Sequence, residues 1–80
     1  MAKDNRSGLR GAQERARKAM LHASKVRERA FRVAAARERS ADRHDRHAET
    51  LEAHGAKRAA AAERRAAQLD RDAADAERER

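Results

Sequence analysis

The chain has 80 residues, 44% of them charged, 39% hydrophobic and 1% aromatic, and a formal net charge of +7. Leu, Val and Phe number seven together and Ile is missing, too few large apolar side chains for a compact globular core. No Cys is present, which excludes disulfides, thiolate chemistry and zinc-finger sites, and no uncharged apolar run is long enough to span a bilayer.

Low hydrophobicity with high charge is also the mark of disorder, so a chain that folds only on its partner is one reading. A second compositional rule opposes it. Ala, Arg, Glu, Lys and Leu account for 55 of the 80 residues, the signature of long helices and coiled coils. These residues lose little side-chain freedom in a helix, and there is no Pro to break one. The expected fold class is all-α: an extended alanine-rich helix or a two-helix antiparallel hairpin, coiled-coil-like, with no globular core.

In chain order, residues 1–7 are expected to form a flexible N-terminus. They carry charges and no apolar stretch of the secretory type, so a cytoplasmic location is the expectation. Residues 8–39 follow as a basic amphipathic helix. Alternate steps of three and four from Leu9 reach Ala12, Ala16, Ala19, Ala23, Val26, Ala30 and Val33, a heptad seam for helix pairing. The same helix carries a row of cations. At 100° per residue Lys18, Lys25, Arg29 and Arg32 fall within an arc of about 60° opposite the seam, with Arg10 and Arg39 near its edge. Glu14 and Glu28 stand four residues before Lys18 and Arg32, where i,i+4 ion pairs would make this a salt-bridged solvated face.

Residues 40–55 are a polar, His-rich junction. Ser40 or Asp42 could cap a new helix start, and Gly55 could end the preceding helix in a left-handed C′ conformation. From there a second series, Ala48, Leu51, Ala59, Ala62, Ala66, Leu69 and Ala73, runs through an alanine-rich second helix at 56–78. The pattern leaves one long helix and a hairpin both open.

The charge is uneven: residues 1–40 hold twelve cations and four carboxylates, residues 41–80 nine and ten. A basic half suits a polyanion through counterion release, without sequence readout. The expected function is therefore a helical binding and assembly module that self-associates or pairs with a partner helix, its first half contacting a polyanion or acidic surface. Non-sequence-specific binding of RNA, the ribosome or DNA is the alternative. A single aromatic residue gives no platform for stacking single strands. Membrane-surface binding is disfavoured because Arg27 projects from the apolar side.

The stretch "RHDRHAETLEAH" concentrates His44, His47 and His54. His47 and His54 stand about 10.5 Å apart along a helix axis, too far to share one ion with Zn–N bonds near 2 Å. No metal or other cofactor is expected. Histidine changes charge between pH 5 and 8, so the three form a candidate pH-sensitive junction whose pairing would loosen as pH falls. No triad, desolvated base or small-molecule site is apparent, and an enzyme is not expected.

Overall fold

A computed structural model of the chain describes the backbone of residues 2–79 and the side chains of residues 8–79. It is an antiparallel two-helix hairpin of unequal arms. Helix α1 spans Ala2–Ala53 and helix α2 spans Lys57–Arg78. The molecule measures 81 × 13 × 9 Å, and its long dimension is that of α1 alone, since 52 residues rise about 78 Å. Helix α1 begins before the expected flexible segment ends; Met1 lies outside the described residues.

The turn is made by one glycine. Gly55 has φ +78°, the left-handed region open to a residue without Cβ. Its N–H donates to the Glu52 carbonyl at 3.0 Å, and the Ala56 N–H donates to the Leu51 carbonyl at 2.8 Å. These two bonds form a Schellman motif, which satisfies carbonyls that the end of α1 would leave open. Ala56 then caps α2 with no side-chain hydrogen bond. The reversal therefore sits at the far end of the 40–55 junction. Residues 40–53 are helical, and Ser40 and Asp42 cap nothing.

Among the described residues six are fully buried: Ala34, Ala41 and Ala48 on α1, and Ala60, Ala67 and Ala74 on α2. Each set has a spacing of seven, the period of a left-handed helix pair. Ion pairs fix the register, because every seven-residue step along α1 is answered by a seven-residue step back along α2. Glu38, Asp45 and Glu52 meet Arg78, Arg71 and Arg64 on one flank. Arg37 and His44 meet Asp70 and Glu63 on the other. In this register the line of Ala34, Ala41 and Ala48 faces the line of Ala60, Ala67 and Ala74. Fully buried alanines on both helices suit a close approach, at the low end of helix packing, about 8 Å between axes.

This buried line differs from the seams read by alternate steps of three and four. Of those residues only Ala48 is fully buried; Ala23, Ala30, Leu51, Ala66 and Ala73 are half-buried. Ala12, Ala16, Ala19, Ala59 and Ala62 are exposed, as are Leu9, Val26, Val33 and Leu69. The physical reason is separation: two helices this close accept only a methyl at the contact, so the large apolar residues lie off it. Helix α2 also ends opposite about residue 30, so among the described residues no second helix covers the first series before Val26.

Candidate polyanion-binding arm

The hairpin has two electrostatically different parts. The stem, α1 from residue 34 onward together with α2, holds ten cations and eleven carboxylates over residues 34–79. Residues 2–33 form an arm with ten cations and three carboxylates. Nearly all of the net charge therefore sits on the part of α1 that α2 touches only at its tip, around residues 26–31.

Within the stem, charge is matched across the two flanks. Arg78 donates to Glu38 at 2.8 Å, Arg71 to Asp45 at 2.6 Å and Asp42 at 3.3 Å, and Arg64 grips both carboxylate oxygens of Glu52. These contacts lower the Glu38 and Glu52 carboxyls below their ordinary value of 4.5 through the arginine hydrogen bonds, and raise the three guanidinium groups through the same bonds. The opposite flank reverses polarity. There Arg37 reaches Asp70 at 3.3 Å, and His44 lies between Glu63 at 2.5 Å and Asp70 at 3.8 Å. Glu63 is lowered chiefly by its hydrogen bond with His44, and Asp70 chiefly by one from the Ser40 hydroxyl, with Arg37 adding to it.

The arm lacks such matching. Arg10, Lys18, Lys25, Arg29, Arg32 and Arg39 are all exposed, and among the described residues none has an ion-pair partner. The pairs of Glu14 with Lys18 and of Glu28 with Arg32, which the spacing allows, are not formed among these residues. The cations from Lys18 to Arg32 cover about 21 Å of helix, and those from Arg10 to Arg39 about 44 Å. Arg39 belongs to the back of the stem and continues the row past the point where α2 begins to cover the other face.

The histidines divide between two environments. His44 and His47 both face Glu63, the latter at 3.3 Å, whereas His54 donates from Nδ1 to the Thr50 carbonyl at 2.8 Å. Glu63 thus faces both imidazoles, and Arg37 shares Asp70 with His44. Among the described residues no group of three or more His, Asp or Glu side chains is placed to hold a metal ion, and no helix is long and apolar enough to cross a membrane.

Two features escaped the sequence reading. One is the charge ladder, which was available as acids at 38, 45 and 52 and arginines at 64, 71 and 78. The other is a shallow hollow where α2 stops, lined by Val26, Arg27, Ala30 and Phe31 of α1 and by Glu77 and Arg78 of α2. It depends on the relative lengths of the two helices, which no local pattern encodes. Large apolar residues gather on the arm side of this point: Leu9 is 62% exposed, Met20 71% and Phe31 59%. Comparison with protein-family models, with curated proteins and with solved structures finds no match.

Proposed function

We propose that this chain is a small binding and assembly module, in which a charge-matched hairpin stem presents a basic helical arm to a polyanion. The observation that carries the reading is the partition of charge. Four stem arginines, Arg37, Arg64, Arg71 and Arg78, are held by carboxylates of the opposite helix, while the arm cations have no ion-pair partner among the described residues. Releasing counterions from phosphates provides a free energy that needs no concave site and no base-specific contact. Nucleic acid is the polyanion this arrangement suits best, because a straight row of cations some 21 Å long matches a regular phosphate backbone. An acidic protein surface offers no comparable repeat.

Binding of the full chain to a duplex of arbitrary sequence, followed against salt, tests this. If Lys18, Lys25, Arg29 and Arg32 each neutralise one phosphate, the log–log slope of affinity on salt is about −3.6 for duplex DNA from these four alone. Changing all four to Gln removes that share of the slope and weakens binding to every sequence alike. Affinity and slope that survive the fourfold change would refute the reading.

A further inference from the structure

We infer that the uncovered face of the arm pairs with the arm of a second copy of this chain, antiparallel and centred on Met20. The inference rests on the assembly half of the proposed function and uses the face opposite the cation row.

The first argument is continuity with the interface the chain already makes. The buried line on α1 runs Ala48, Ala41, Ala34, and further steps of seven give Arg27, Met20 and Gln13. Helix α2 ends at Arg78, opposite about residue 30, so the same face continues along the arm without a helix on it. The geometry of the stem can be applied to two arms lying antiparallel. Met20 then meets its own counterpart on the twofold axis, and Gln13 meets Arg27. On the flank equivalent to Arg37–Asp70, Ala16 meets Ala23 and Leu9 meets Ala30. On the flank equivalent to Glu38–Arg78, Ser24 meets Ser24 and Arg17 meets Phe31. No like charges oppose one another at any of these positions. Small residues allow the close approach seen in the stem, Arg17 over the Phe31 ring is a cation–π contact, and the Gln13 carboxamide accepts from Arg27.

The stem helix of a second copy does not fit this face. In the stem, α1 offers a carboxylate to each arginine of α2, and the equivalent arm positions are Phe31, Ser24 and Arg17. An α2 helix docked there would set arginines against Ser24, Phe31 and another arginine, so the arm selects an arm.

The hollow at the tip of α2 is the second argument. In the paired arrangement Leu9 of the second copy lands beside Ala30 and Phe31, inside the hollow that these residues form with Val26, Arg27, Glu77 and Arg78. That contact covers two of the exposed large side chains, Leu9 and Phe31. To avoid α2 of the other copy the pairing requires α1, helical from Ala2 in the single chain, to bend before Leu9, and the residue there is Gly8, which has no side chain to obstruct the bend. The overlap of residues 11–29 is about 28 Å long. Both cation rows face outward, so screening by salt strengthens this pairing, whereas salt weakens phosphate binding.

The absence of Cys from the chain makes cross-linking clean. An equimolar mixture of Leu9→Cys and Ala30→Cys chains, oxidised mildly at high micromolar concentration and about 0.5 M salt, where screening is strong, is expected to give the mixed disulfide. Lys18→Cys, on the opposite face, is expected to give none. Sedimentation of the unmodified chain under the same conditions is expected to show twice the 9.0 kDa monomer, and Met20→Glu to return it to monomer with unchanged helicity. A strictly monomeric chain would overturn the inference. So would Leu9→Cys cross-linking to itself as readily as to Ala30→Cys, or a dimer that survives Met20→Glu. Duplex binding is read separately: Met20→Glu retains it, and the fourfold Gln variant loses it while still dimerising. Loss of one property without the other therefore shows which reading has failed.

Discussion

Replacing Ala41 by leucine is expected to destabilise the hairpin by about 1–3 kcal/mol, the usual cost of forcing extra methylenes into a filled contact. Ala41 is fully buried in the interface between the two helices. Leucine adds three carbon atoms where the methyl already has no exposed surface. The helices must then separate locally, and the adjoining contacts of Arg71 with Asp45 at 2.6 Å and of His44 with Glu63 at 2.5 Å lengthen with them. For a chain of this size each kcal/mol moves the melting temperature by about 4–8 °C, so a 2 kcal/mol loss corresponds to roughly 8–16 °C. Thermal melts followed by circular dichroism supply the measurement. Ala36→Leu is the control, because Ala36 is exposed and a surface change of this kind stays within about 0.5 kcal/mol. A melt for Ala41→Leu at or above that of the unmodified chain would show that the interface has room for a large side chain, and the alanine-contact account would fall.

Gly55→Ala is expected to cost about 1–2 kcal/mol, the penalty for an L side chain in the left-handed region. Nothing crowds a Cβ there, so Gly55→Asn, which tolerates that conformation better, recovers part of the loss in the same melts. Acid titration should unfold the stem. Glu38, Glu52, Glu63 and Asp70 are lowered from ordinary values of 4.5 and 3.8, so their stabilisation is present above those values and is lost as pH falls through the lower folded ones. A melting temperature that rose on going from pH 4.5 towards pH 2 would contradict this sign. Reversing one member of the charge ladder, Asp45→Arg, lowers the melt, and adding Arg71→Asp restores it if the two residues meet across the stem; additive losses would place them apart.

The all-α class, the absence of a core and the role of Gly55 were legible because each depends on local chemistry: helix-forming composition, no proline, and one residue able to take φ +78°. The phase of the helix contact was not. With 22 alanines in 80 residues several apolar series fit equally well, and the one that passes through Leu9, Val26, Val33 and Leu69 is not the line buried between α1 and α2. In a pair this close, size works against burial, so the informative positions are alanines at strict intervals of seven. Charge identified the same phase. Arg37 and His44 mark the flank of the buried line. The cation row from Lys18 to Arg32 was visible from helical spacing alone, but its isolation from α2 was not, since that follows from the stem beginning at Ala34.

Hydrogen exchange of the full chain with and without a nucleic-acid duplex tests the division into stem and arm most directly. Amides of residues 34–53 and 57–78 are expected to be protected in the free chain and those of 8–29 to exchange faster, with the duplex then slowing exchange on the arm alone. Uniform exchange along α1, or protection by the duplex appearing on α2, would contradict the account.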